Sequence, residues 1–204
     1  MKNLATIGAC AAFSMVAFTG AALADGHEGK GRMYVSGGIG YNMIDDVDVG
    51  GVSYEMDDGY SIIGALGYDT GDITSYGKFR IEAEVSYTEN DNDSASAGGV
   101  TVPLGGTLEQ TTVLVNGYVD FVPGGTLRPY LGVGLGFIDG DHSVSVGGFS
   151  GSGSGTEFAY RGAAGVTWHL DDNWGLDLGY RYTGWEASGD VDNHALVTSI
   201  RYTF

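Results

Sequence analysis

The sequence predicts an all-β fold, an eight-stranded antiparallel up-and-down transmembrane β-barrel with an apolar outside and a charged inside. Three observations predict it. Glycine makes up 37 of 204 residues, a density that works against helices because each glycine loses more backbone freedom on ordering than any other residue. From Arg32 onward, short blocks alternate apolar and polar residues with the two-residue period of a strand, and clusters of Gly, Asp, Asn and Ser separate them. Every Lys and Arg from Arg32 onward lies on the polar phase of those blocks, Lys30 falls on the same phase just before the first block, and the connections between blocks hold none.

Charge narrows the function. The chain has 9 Lys plus Arg against 26 Asp plus Glu, a formal net charge of −17. Such a polyanion does not bind nucleic acid through its phosphates. With 13 Tyr, 8 Phe and 3 Trp, it is also too aromatic for a disordered acidic tail. The length suits one domain.

Residues 1–24 read as a Sec signal peptide. Lys2 supplies the positive start, residues 3–24 are uncharged, and Ala22-Leu23-Ala24 before Asp25 fits the small-x-small rule, so cleavage is expected between Ala24 and Asp25. The barrel domain is then 25–204. The one cysteine, Cys10, falls within the leader. The apolar run before it is too short for a lipoprotein signal, and no disulfide is available to the mature fold.

Eight blocks follow, at 32–43, 59–69, 77–88, 109–121, 127–138, 157–170, 174–185 and 193–204. Each is long enough to cross a bilayer as a tilted strand, which needs roughly nine to eleven residues. The connections at 70–76, 122–126 and 171–173 are short. Those at 44–58, 89–108 and 139–156 are long and rich in Gly, Ser and Asp, while 186–192 is compact. Short turns on one side and long loops on the other are the asymmetry of a membrane barrel.

The third block shows how the faces divide. Phe79, Ile81, Ala83, Val85 and Tyr87 alternate with Lys78, Arg80, Glu82, Glu84, Ser86 and Thr88. The same test places Arg128, Arg161, Arg181 and Arg201 on the polar phase, with Asp120 and Asp177. A soluble barrel would scatter its charges over the outer surface and loops. Charges confined to one strand face instead point to a narrow lumen, where each must be paired. The expected lumen network is Lys78, Arg80, Glu82, Glu84, Asp120, Arg128, Arg161, Asp177, Arg181 and Arg201. Outside, Phe79, Phe121, Trp168, Trp174 and Phe204 are expected to form a girdle at the turn end, and Tyr41, Tyr87, Phe137, Tyr160 and Tyr182 one at the loop end. Eight strands enclose a tube that side chains nearly fill. Glycines on the polar phase (38, 40, 132, 134, 136, 165, 175 and 179) predict a thin wall that water could thread.

The final residues, Ile200-Arg201-Tyr202-Thr203-Phe204, together with Arg128-Pro129-Tyr130-Leu131-Gly132-Val133-Gly134-Leu135-Gly136 and Leu178-Gly179-Tyr180-Arg181-Tyr182, carry a resemblance. Across the mature chain the sequence resembles the OmpA-like, opacity-type eight-stranded outer-membrane proteins of Gram-negative bacteria. The resemblance implies residence in the outer membrane among lipid and lipopolysaccharide, and delivery by periplasmic chaperones to the barrel-assembly machinery. It implies that Ile200, Tyr202 and Phe204 form the assembly signal. The chain lacks the peptidoglycan-binding domain that follows the barrel in OmpA itself, so that tethering role does not carry over.

Other chemistries find less support. Asp46-Val47-Asp48-Val49-Gly50 and Asp139-Gly140-Asp141 faintly resemble calcium loops but lack the later bidentate acid. A solvated acidic surface explains them, as it does Asp45, Asp46, Asp48, Glu55, Asp57 and Asp58 in the first long connection. His27, His142, His169 and His194 stand in no triad pattern. The Gly-x-Gly run from Gly132 has no following helix to bind a phosphate. The reading is a non-enzymatic integral barrel, without cofactor or bound metal, with a structural or surface-interaction role. Its alternative is a small porin-like channel.

Overall fold

A sheet with oil on one face and charges on the other can hide the charges by curling until its first and last strands meet. The computed structural model describes residues 31–44, 47–49, 52–74, 77–97, 100–103, 106–121, 125–146, 149–186 and 190–204. Its strands are β1 (Arg32–Ile44), β2 (Val47–Val49), β3 (Val52–Met56), β4 (Gly59–Thr74), β5 (Gly77–Ala97), β6 (Val100–Pro103), β7 (Thr107–Phe121), β8 (Leu127–Val146), β9 (Phe149–His169), β10 (Trp174–Glu186) and β11 (Asp190–Thr203).

Strands β1, β4, β5, β7, β8, β9, β10 and β11 pair in chain order, every pair antiparallel. β1 pairs with β11 from Tyr34 opposite Thr203 to Ile44 opposite Asn193, which closes the ring. Closure leaves no sheet edge facing hydrocarbon. Arg32 reinforces the seam: Nε donates to the Phe204 carbonyl oxygen at 2.7 Å, Nη1 donates to the Asp172 carbonyl oxygen at 2.9 Å, and the Phe204 N–H reaches the Met33 carbonyl at 2.9 Å. Pro129 is tolerated near the start of β8 because the β7 ladder begins only at Asp120 opposite Tyr130, so no N–H is needed there.

The eight expected blocks are the eight barrel strands, but four of them, β4, β5, β8 and β9, run well past the expected bounds. β5 continues to Ala97, and β8 and β9 stay paired out to Val146 opposite Phe149. The added stretch pairs Gly140 with Gly155 and Ser143 with Ser152. These residues are poor strand formers alone, yet a ladder already in place supplies their hydrogen bonds, and pairing context outweighs propensity. Within the first two long connections, β2, β3 and β6 add to the outer end of β5 rather than forming irregular loops. The 70–76 connection is mostly strand as well. The β4–β5 register shifts between Asp69 and Asp72, and Gly71 takes a φ of 81°, a bulge conformation that glycine adopts without strain.

The apolar phase faces outward. Ile62 and Val133 are 71% and 72% exposed, values that suit lipid rather than water as the solvent. Exposed Phe121, Trp168, Trp174 and Phe204 mark the turn end, and exposed Tyr41, Tyr87, Phe137 and Tyr160 the loop end.

The expected thin wall is filled. Tyr34 lies opposite Gly67, Tyr118 opposite Gly132 and Tyr130 opposite Gly165, and each ring lies over its glycine. A Cβ at Gly67 would meet the Tyr34 ring at 2.0 Å, and one at Gly132 the Tyr118 ring at 2.3 Å. Gly179 receives the Tyr130 hydroxyl, and Gly134 the Asn116 side chain. The glycines are sockets for inward side chains.

Gly67→Val should therefore destabilise the barrel by about 1–3 kcal/mol through overpacking. Gly162→Val, where a Cβ would meet nothing within 4 Å, should fall within about 0.5 kcal/mol of wild type. Urea midpoints in lipid vesicles distinguish the two, and equal midpoints would contradict the socket assignment.

The turn after β9 yields a second expectation. Asp171 Oδ1 accepts the N–H groups of Asn173 at 2.8 Å and Trp174 at 2.7 Å, and these bonds hold its carboxyl below the ordinary carboxylate range. The associated stabilisation is complete above the ordinary value of about 3.9 and fades as pH falls through the lower folded value. Carboxyl ¹³C titration should show a midpoint below that ordinary value. A midpoint at or above it would contradict the capping role.

Candidate functional site

Inward side chains of β5 and β7 begin the site, because their alternation carries Arg80, Glu82, Glu84 and Asp120 to one face. The register sets Arg80 opposite Tyr118 and Lys78 opposite Asp120, so Arg80 reaches its acid diagonally. Its Nη2 donates to Asp120 Oδ1 at 2.8 Å while Nε donates to Oδ2, a bidentate pair. The guanidinium carbon also lies 4.6 Å from the centroid of the Tyr118 ring and 5.4 Å from that of Tyr130.

Two further clusters cross the lumen. Arg201 Nη2 donates to Asp177 Oδ1 at 2.7 Å, the Thr167 hydroxyl donates to the same oxygen, and the Arg201 guanidinium stands 4.9 Å from the Tyr34 ring centroid. Glu84 receives both Arg161 and Arg181, the latter at 2.9 Å, and Arg161 Nε donates to Thr183 Oγ1 at 2.9 Å. Arg80 and Glu84 are only 2% and 3% exposed. At such burial a charge without its partner is far costlier than a surface charge.

Of the ten expected network residues, the structure joins Arg80 with Asp120, Arg161 and Arg181 with Glu84, and Arg201 with Asp177. Glu82 is held by tyrosines, accepting the Tyr34 hydroxyl at 2.9 Å and the Tyr118 hydroxyl at 3.5 Å. Lys78 is half-buried near the turn end. Arg128 is also half-buried, and its Nε has no hydrogen-bond partner among the described residues. Ile200 faces outward, and Tyr202 lies between Trp174 and Phe204 at ring distances of 4.8 and 5.3 Å. Ala24 and Asp25 lie outside the described residues.

Sequence reasoning missed Tyr34, Tyr118, Tyr130, Thr167 and Thr183. The signal was their place on the polar phase, with a glycine directly across from each tyrosine. It also missed an apolar cap, since Ile44, Leu114, Ile138, Ala159, Trp185 and Val191 pack together inside the loop end. Between that cap and Glu84 lies a polar cavity of about 20 Å³, with Asn42, Ser86, Gln110, Thr112, Arg161 and Arg181 in its wall.

The remaining candidates separate. Asp45, Asp46 and Gly50 lie outside the described residues, and Val47–Val49 is strand β2. Asp139 accepts a hydrogen bond from the Thr156 hydroxyl. Among the described residues no three of His, Cys, Asp and Glu converge on a metal position. His194 Nδ1 shares a hydrogen bond with the Tyr180 hydroxyl. His169 is half-buried on the lumen phase of β9, and His27 lies outside the described residues.

Arg80→Ala strands Asp120 in the interior and should cost about 3–5 kcal/mol. Asp57→Ala, at an exposed position, should stay within about 0.5 kcal/mol. Equal unfolding midpoints for the two variants would refute a stabilising ion network.

A family model for the outer membrane protein beta-barrel domain matches residues 9–204. No curated protein matches the chain. Among solved structures, Neisserial surface protein A aligns at 22% identity with a TM-score of 0.59, covering 84% of this chain and 97% of its own. Ail, the attachment invasion locus protein of Yersinia pestis, solved with the heparin analogue sucrose octasulfate, aligns at 18% identity with a TM-score of 0.53, covering 86% and 99%. OprG from Pseudomonas aeruginosa aligns at 13% identity with a TM-score of 0.55, covering 87% and 97%. At these identities the likeness is one of fold.

Proposed function

The chain belongs to the outer-membrane protein β-barrel family, and from that premise we propose that it is a plugged, non-enzymatic barrel of the bacterial outer membrane that acts through its external face. The observation carrying this reading is the occupied lumen. Three guanidinium–carboxylate clusters and the rings of Tyr34, Tyr118 and Tyr130 cross it, and an eight-stranded tube leaves little room beside them. The Sec signal at 1–24 delivers the chain to the periplasm. Chaperones and the barrel-assembly machinery then read the Ile200, Tyr202 and Phe204 face, and the two aromatic girdles seat the barrel among phospholipid and lipopolysaccharide.

Charge indicates the kind of surface partner. The long connections hold many of the acids and none of the Lys or Arg. Ail was solved with a polyanion, the heparin analogue sucrose octasulfate. Acidic connections disfavour such a ligand, so the outer face of this chain suits a neutral or cationic partner.

Single-channel recording in planar bilayers tests the reading, with a heat-modifiability gel to certify the folded state. Folded protein should insert without conductance steps. Stable steps from folded protein would replace the plugged barrel with a small porin-like channel and make Arg80, Arg161 and Arg181 selectivity residues.

A further inference from the structure

β9 outruns the strand that flanks it. It pairs with β8 from Phe149 opposite Val146 to Trp168 opposite Leu127, but with β10 only from Ala159 onward. Among the described residues its outer end, residues 149–158, therefore has one side without a strand. The backbone groups on that side belong to the even-numbered residues. His169 donates its N–H to the Thr126 carbonyl on the β8 side, whereas Leu170 donates to the Trp174 carbonyl on the β10 side. Backbone groups alternate along a strand, and the β8–β9 register runs without a shift. Ser150, Ser152, Ser154 and Thr156 thus turn N–H and C=O away from β8.

An unpaired edge is a template for another strand, and proteins blunt such edges with Lys, Pro or a bulge. Residues 149–158 contain none of these. Glycines fill the positions between the hydroxyl residues, and the fold itself does not require them there. Neither Gly151 nor Gly155 has a positive φ. A Cβ at Gly151 would meet nothing within 4 Å, and one at Gly155 only Glu157 Oε1 at 3.7 Å. Glycine inside a strand also marks the close approach of another backbone.

The edge sequence indicates which backbone. Ser150-Gly151-Ser152-Gly153-Ser154-Gly155-Thr156 reads nearly the same in both directions. Laid antiparallel on itself about Gly153, it sets Ser152 opposite Ser154, Ser150 opposite Thr156 and Gly151 opposite Gly155. Residues whose backbone groups point to the open side then face one another, as a two-fold ladder requires. Hydroxyl residues meet hydroxyl residues, a favourable cross-strand pair. Glycines meet at the positions without hydrogen bonds, where Cα atoms approach to about 4.5 Å. Phe149 comes opposite Glu157, so the ladder ends just short of Ala159, where β10 begins.

We propose that this edge pairs antiparallel with the same edge of a second copy of the chain. Copies in one membrane run β9 in the same direction, so the contact joins barrels whose loop ends face each other across two apposed outer membranes. That setting rests on the external-face reading above, whereas the pairing itself does not. Each contact is small, and many between two surfaces add by avidity. Residues 150–156 carry no charge but acids flank them, so the contact strengthens as salt screens those acids.

Cysteine trapping of the folded protein in detergent tests the pairing, since the chain after residue 24 has no cysteine of its own. Under mild oxidation Gly153→Cys should form a covalent dimer with itself. Gly151→Cys and Gly155→Cys should each remain monomeric alone and join when mixed. No dimer from Gly153→Cys, or equal crosslinking at all three positions, would overturn the pairing. Should Gly153→Cys fail to reach the folded gel band, the mixture of the other two decides alone. On cells, wild type should cause clumping that rises with salt. Ser154→Pro removes an N–H that β8 does not use, and it should abolish the clumping while the folded band persists. Trapping in detergent without clumping of cells would overturn the contact between membranes by contradicting the external placement of the loop end, and clumping unchanged in Ser154→Pro would overturn the role of this edge.

Discussion

Ring closure between β1 and β11 is the constraint on which everything else depends. In hydrocarbon a backbone N–H or C=O has no water to turn to, so an open sheet edge is forbidden and the eight strands must return on themselves. Once they do, the polar phase of every strand is forced into a tube barely wider than its own side chains. Arg80, Arg161, Arg181 and Arg201 then have nowhere to go but against Glu84, Asp120 and Asp177. The ion pairs are thus a consequence of closure, and by linking strands distant in sequence, such as β5 with β9 and β10, they reinforce it.

Space in the tube is shared by a second device. Three tyrosines lean over three glycines on neighbouring strands, so bulk is supplied by one strand where the next has none. Tyr34 and Tyr118 also hand their hydroxyls to Glu82, a carboxylate that would otherwise stand against Glu84 two residues away on the same face. Packing and charge compensation are therefore done by the same rings. Polar contents give way to an apolar cap around Trp185 at the loop end.

Much of this was legible in the sequence, and the limits have physical causes. Alternation between Lys78 and Thr88 displays the two faces because a strand turns by half a circle per residue. The outer ends of β8 and β9 were hidden, since Gly140, Ser143, Gly153 and Ser154 have no strand preference of their own and are ordered by a ladder begun lower down. Which acid each arginine takes was hidden too. The diagonal from Arg80 to Asp120 and the reach from Arg161 to Glu84 depend on the stagger of the closed sheet, a property of no single strand. The inward tyrosines escaped notice because a ring with a hydroxyl suits a membrane girdle as well as a polar interior.

Buried pairing, rather than the mere presence of charged side chains, holds the barrel. A double-mutant cycle on Arg201 and Asp177, read from unfolding free energies in vesicles, tests it most directly. Each single truncation to Ala leaves a stranded charge, so the double variant should cost less than the two singles together, with a coupling energy above about 1 kcal/mol. Additive losses, with no coupling between the two positions, would contradict the account.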